Sequence, residues 1–427
     1  MLTPQRLFGE AWSPPNTLSY EPFLERARLQ REQDRDASAR LALGGYVMAR
    51  LVDKLLVLEN DAESLEGFRW QLEAVRRHIS ELAADSPETA HLAGVVAAVP
   101  EQGRPTSSLW KSLTAYAYFL EHEARLDEAL DMVMLATRAQ GARMPAKDFA
   151  AYALFAGRLN RQLARWDAAT SCYSAAEEAG EKIGDAVARL RGRLGQGAVD
   201  RGRGNLPKAR ATAANVVEEA AALGLQEAQA MAYADLGVVY NLQGLKVEAL
   251  EAHYQAFKLT RDPRQQMRTL VDVAIAFHEI GAIDAARVGF QVAANSHGGI
   301  LVQANSLLEL MDLESACGNR VAFERCRVAL EAHLSRLSPS MSVDYLYKLG
   351  VGLNRFEQSV RARDALTAGL ALAETHGLNA SYFKIERALG ELTVPEPVDR
   401  RTSSLSEAPA VRLLEAELRE YAASAAP

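Results

Sequence analysis

Between residues 62 and 84 the apolar positions Leu65, Phe68, Leu72, Val75, Ile79 and Leu82 recur at intervals of three and four, which places a single buried stripe along one α-helix. The run 37–58 predicts a second, more apolar helix, in which Gly44-Gly45 permits close packing or a kink. A third helix is predicted at about 88–98, and 410–424 carries Val411, Leu414, Leu418 and Tyr421 on one face. Ahead of these, Pro4, Pro14, Pro15 and Pro22 exclude a long helix from residues 1–22. That arm, with Phe8, Trp12 and Tyr20, is expected to lie across a neighbouring surface. The stretch TVPEPVDRRTSSLSEAPA, ahead of the terminal helix, reads as a linker by composition. The terminal helix is expected to cap an exposed edge or to dock on another subunit.

The middle of the chain repeats itself. Segments such as ARLDEALDMVMLA, ARWDAATSCYSAA, GLKVEALEAHYQA and GAIDAARVGFQVA align on a small anchor residue that opens the buried face of a helix. The anchors are Ala129, Ala169, Ala209, Ala249, Ala286, Phe323 and Ala362, spaced 37–40 residues apart. Twelve residues before them stand Ala117, Gly157, Gly197, Gly237, Ala274, Met311 and Gly350; seven after them stand Ala136, Ala176, Val216, Ala256, Ala293, Leu330 and Gly369. Small residues at fixed offsets let two antiparallel helices approach closely. Gly204, Gly244, Gly281 and Gly318, five before their anchors, end the first helix of each pair. Phe323 breaks the small-anchor rule, so the sixth pair is expected to pack irregularly.

This pattern resembles the tetratricopeptide repeat family, whose first helix carries Leu-Gly-x-x-Tyr and whose second carries Ala-x-x-x-Tyr/Phe-x-x-Ala. Leu236, Gly237, Tyr240, Gly244, Ala249 and Ala256 match most fully; Gly157, Ala169, Tyr173 and Ala176 match in part, as do Gly281, Ala286, Phe290 and Ala293. His253 stands at the aromatic position of the fullest match. The period exceeds the usual length of about 34, as in the family's larger peptide-binding members, among them bacterial peptide-sensing regulators. The resemblance implies an all-α, right-handed superhelical solenoid of antiparallel helix pairs over 107–393, preceded by a helical bundle, cap or degenerate repeats at 23–106. A linker at 394–409 and an amphipathic helix at 410–427 follow.

Composition narrows the chemistry. With 48 Lys and Arg against 55 Asp and Glu the net charge is −7, which disfavours general nucleic-acid binding. No apolar stretch approaches the roughly 20 residues of a membrane span, and no signal-peptide pattern opens the chain, so a cytoplasmic protein is expected. Cys172, Cys317 and Cys326 are too scattered for a disulfide framework or a zinc site and read as core residues. His122-Glu123 and His278-Glu279 lack the second histidine of a zinc-protease helix. The run RGRLGQGAVDRGRGN at 191–205 superficially suggests a phosphate loop or an RNA-binding segment, but the repeat already accounts for Gly197 and Gly204. No catalytic residue, metal ligand or cofactor is assigned.

In the family the first helices line the concave face, with exposed positions 18, 15, 11, 8 and 7 residues before each anchor. The resemblance therefore implies a ligand-binding groove made of Lys111, Tyr118, His122, Arg158, Arg161, Arg191, Arg201, Asn241, Arg268, His278, Asn305 and Asn354. Glu121, Gln162, Glu279, Asp312, Asp344, Tyr347 and Arg355 occupy further such positions. Cations dominate the first half of this groove nearly without compensation. Arginine's planar fork suits carboxylates, and asparagine amides suit an extended peptide backbone. The competing reading is an ordinary charged helix face. The function expected is a non-enzymatic adaptor binding a protein or peptide partner with an acidic segment, without nucleic acid or membrane, and with possible self-association through the terminal helices. The alternative is a signalling regulator whose solenoid senses a ligand and repositions the N-terminal helices.

Overall fold

The computed structural model describes residues 19–59, 61–101, 104–141, 144–392 and 404–425. Most of the proline-containing arm and of the expected linker lies outside the described residues. Among the described residues there is no strand, and no helix is long and apolar enough to cross a membrane. The chain divides into two compact units, Met1–Arg203 and Gly204–Pro427.

The first unit contains α1 (Glu21–Glu32), α2 (Asp36–Leu56), α3 (Ala62–Ser80), α4 (Pro87–Ala97), α5 (Ser107–His122), α6 (Leu126–Gln140), α7 (Ala146–Gln162), α8 (Trp166–Ile183) and α9 (Ala186–Gly202). The second contains α10 (Leu206–Ala222), α11 (Gln226–Leu242), α12 (Lys246–Leu259), α13 (Pro263–Ile280), α14 (Ile283–Ala294), α15 (Ile300–Ala316), α16 (Arg320–Glu331), α17 (Pro339–Arg355), α18 (Ser359–Thr375), α19 (Asn379–Glu391) and α20 (Pro409–Ala425). From α5 to α18 the odd helices are the first, or A, members of the repeats and the even helices the second, or B, members.

The spacing of small residues becomes packing. All seven anchors are buried. Where the A helix carries glycine, a large B-helix side chain fills the space: Tyr173 over Gly157, His253 over Gly237 and Leu366 over Gly350, each closer than 3 Å to where a Cβ would stand. Five residues before every anchor the backbone enters the left-handed region, at Gly204, Gly244, Gly281 and Gly318 but also at Ala124, Ala164 and Glu357. The next amide then reaches back to the helix end, as Leu245 N–H does to the Tyr240 carbonyl at 3.0 Å and Arg125 N–H to that of Leu120 at 2.9 Å. Phe323 does not distort the sixth pair, because Gly352 on α17 leaves the room its ring occupies.

The same turn joins α1 to α2. Asp34 is left-handed (φ 55°), Arg35 N–H reaches the Gln30 carbonyl at 2.9 Å, and Ala27 and Ala39 are buried at the repeat's offsets. Gly45 provides close packing rather than a kink: Phe23 lies 2.5 Å from where its Cβ would be, within an unbroken α2. A buried ionic cluster then ties α1 and α4 to the first repeat pair. Glu88 accepts from Arg26 (2.9 Å), from both ends of the Arg125 fork (2.6 and 2.8 Å) and from the Tyr116 hydroxyl (2.8 Å), while Glu128 accepts from Arg26 and Arg125. Burial alone would raise the Glu88 carboxyl, but the two guanidiniums hold it down at about 2.

In the second unit α20 neither caps the last pair nor leaves its apolar face for another subunit. Val411, Leu414 and Leu418 are buried against α12 and α14, Tyr421 meets Phe257 edge-on at 5.0 Å, and Glu417 pairs with Lys258 at 3.3 Å. The outer sides of B helices, not an end of the array, supply the apolar surface it needs.

Candidate functional site

In the first unit the inner positions of α5 and α7 meet. Tyr118 is half exposed, and its ring stacks on Phe155 at 4.3 Å with an interplanar angle of 13°. The Arg158 guanidinium covers both rings, 4.9 Å from the Phe155 centroid and 5.9 Å from that of Tyr118. Glu121 fixes this guanidinium by accepting two hydrogen bonds of 2.8 Å, and it also accepts from Gln162 at 3.0 Å. The expected uncompensated charge is therefore corrected at Arg158. Consecutive A helices bring a residue eleven before one anchor beside a residue eight before the previous one, so the cation acts as a brace between repeats.

The other basic positions differ in what they offer. Arg161 is half-buried, its Nε without a hydrogen-bond partner, beside the Tyr173 phenol, which burial raises and the guanidinium lowers. Lys111 and Arg191 are exposed; Arg201 and His122 are half-buried. The glycine-rich run is a packing surface: Gly192 lies against the Glu177 backbone, Gly195 under the Tyr173 ring and Gly202 under Trp166. Burial raises the thiols of Cys172 and Cys326 to about 12 and about 11, which makes them poor nucleophiles.

Similar braces run along the A helices of the second unit. Asn241 donates to Glu279 at 3.1 Å and accepts from Lys246, which also pairs with Glu279 at 2.9 Å; Arg355 pairs with Asp312 at 2.8 Å. Asn241 is thus engaged within the fold. Asn305, Asn354 and His278 are half-buried, and Arg268 is exposed. Asp272, which the Arg268 charge favours in its ionised form, is nonetheless raised by burial to about 6.

An apolar set of such positions lies on α11. Met231, Val238 and Leu242 are exposed there, at 18, 11 and 7 residues before Ala249, and Leu242 is 57% accessible. The same offsets mark these residues in the sequence, although polar side chains alone do not reveal them. The first unit thus offers an aromatic shelf braced by Arg158 and Glu121, and the second an apolar strip beside the engaged Asn241.

No protein-family model matches the chain, and no curated protein sequence matches it. Among solved structures the chain is similar to a Rap protein complexed with competence and sporulation factor, at 11% identity over 83% of this chain and 97% of that one, with a TM-score of 0.42. It is similar also to the apo form of the quorum sensor NprR from B. thuringiensis, at 11% identity, 88% and 97% coverage and a TM-score of 0.41. The apo form of RapI aligns at 8% identity over 62% of this chain and 98% of its own, with a TM-score of 0.42.

Proposed function

We propose that this chain is a non-enzymatic binding protein that holds a peptide segment of a protein partner on the A-helix face of its first unit. The observation that carries this reading is the half-exposed Tyr118 ring, stacked on buried Phe155 and held beside Arg158, which Glu121 fixes. An aromatic surface whose rotamers are already fixed binds an apolar side chain at low entropic cost. Lys111, on the same helix as Tyr118, and Arg191, on α9, are exposed cations of the first unit that suit an acidic ligand segment.

The test follows from the braces. Arg158→Glu would disrupt the packing of α5 on α7, so the informative variant is Lys111→Glu, Tyr118→Ala, Arg191→Glu. Partners recovered from source-cell lysate by the native protein and lost by this variant, at equal melting temperature, are the expected result. Equal recovery of every partner would remove the site from this face. In the regulator alternative the N-terminal helices move, which requires opening the cluster around Glu88. A scattering profile that compacts at saturating ligand would favour that alternative over a static adaptor.

A further inference from the structure

The outer side of α16 differs from that of its counterparts. Two residues before the anchor, at the start of the B helix, the first, second and fifth pairs carry Asp127, Asp167 and Asp284, each joined to an arginine (Arg165, Arg203 and Arg287). Aspartate suits this place, because the helix N-terminus favours negative charge. The third and fourth pairs carry Pro207 and a partly buried Val247, whereas the sixth and seventh carry Val321 and Val360, 65% and 77% exposed, and Val328 two turns along α16 is 57% exposed. An exposed β-branched residue gives up helix propensity without gaining burial. The two α16 valines form an exposed apolar strip on one face of that helix, together with Arg320, Glu324, Arg325 and Ala329. Glu324 is paired with Arg327, while among the described residues neither Arg320 nor Arg325 forms an ion pair. Unpaired positive charge therefore flanks the apolar strip.

Elsewhere the same outer surface already receives such a ligand. On α12 and α14 it seats α20, an amphipathic helix whose Val411, Leu414, Leu418 and Tyr421 are apolar and whose Glu417 meets Lys258. We infer that the outer face of α16 is a second helix-docking site, and that its occupant is an acidic amphipathic helix of a partner protein. Apolar side chains two turns apart would cover Val321 and Val328, and carboxylates beside them would meet Arg320 and Arg325. This site is separate from the A-helix faces and does not depend on the function proposed for them.

The probe is a fluorescein-labelled peptide of residues 409–425, whose apolar face is flanked by Glu415, Glu417 and Glu420. Its anisotropy is titrated with the full-length protein. Saturable binding is expected, weakened about tenfold or more by Val321→Asp, Val328→Asp and several-fold by Arg320→Glu, Arg325→Glu. Because all four residues are on the surface, these variants should keep the native melting temperature. Tyr254→Ala, in the seat of α20, should leave this binding unchanged. Absence of binding, or binding that responds to Tyr254→Ala and not to the valine pair, overturns the inference. A concentration-dependent dimer abolished by the valine pair would overturn it in favour of a second copy of the chain.

Discussion

Ala124, Ala164 and Glu357 adopt at the repeat turn the left-handed backbone that Gly204, Gly244, Gly281 and Gly318 adopt at no steric cost. A side chain there costs about 1–2 kcal/mol, partly offset by the greater freedom that glycine gives the unfolded chain. Ala164→Gly should therefore raise stability by about 0.5–1 kcal/mol, and Gly244→Ala should lower it by at least as much, both read from thermal melts. Two buried carboxyls make a second residue-scale case, with opposite signs. Asp131 is buried with Oδ2 unpartnered; burial first, and then Asp127 and Glu128, raise its carboxyl to about 7 against an unfolded value of 3.8. The native state keeps that proton while the unfolded chain has released it, so stability falls as pH rises from about 4 to about 7 and then levels. Asp131→Asn should raise the melting temperature at pH 8 and change it little at pH 4. Glu88, held at about 2 against 4.5 unfolded, contributes stability that is present above about 4.5 and lost as pH falls toward 2. Glu88→Gln should lower the melting temperature at pH 7, and the deficit should shrink on acidification.

Between helices, a repeat pair is specified by matched sizes across its seam. The Cβ of Gly237→Ala would stand 2.7 Å from the His253 ring, in a core with no spare volume, so this change should cost about 1–3 kcal/mol. Gly67→Ala, with nothing within 4 Å of its new methyl on α3, should be neutral or slightly stabilising, and urea titrations of the two variants would show the difference. This size matching made much of the architecture legible in the sequence: alanines and glycines at fixed offsets mark the seam directly, and Gly244 or Gly281 marks the turn. The α1–α2 pair shares the turn but uses Asp34 in place of glycine, so the strongest local sign is missing. Ala124 and Ala164 are silent for the same reason. The candidate site was less legible. Offsets place Arg158 and Glu121 on the A-helix face, yet their pairing across 37 residues depends on how one pair stacks on the next, which no single-helix pattern encodes. The seating of α20 on α12 and α14 is likewise a tertiary choice: its stripe was visible, but its destination was not.

At the scale of the whole molecule, the net charge of −7 opposes an acidic ligand at long range, while at the proposed site Lys111 and Arg191 would attract it locally. Ionic strength separates the two effects, since the screening length shrinks from about 8 Å at 0.15 M to about 3 Å at 1 M. Across that range the distant negative charges are already screened, so added salt acts mainly on the nearby cations. Affinity for an acidic partner peptide bound to the first unit should therefore fall steadily as salt rises. Lys111→Gln, Arg191→Gln should weaken binding at 0.15 M and flatten this dependence. Tyr118→Ala should instead lower affinity by a similar factor at every salt concentration, because stacking on an aromatic shelf does not involve net charge. Calorimetric titrations of the three proteins at four salt concentrations would show the difference. Parallel losses in all three would mean that the shelf and the cations do not act on the same ligand, and the A-helix face of the first unit would then be an ordinary charged surface braced by Arg158 and Glu121.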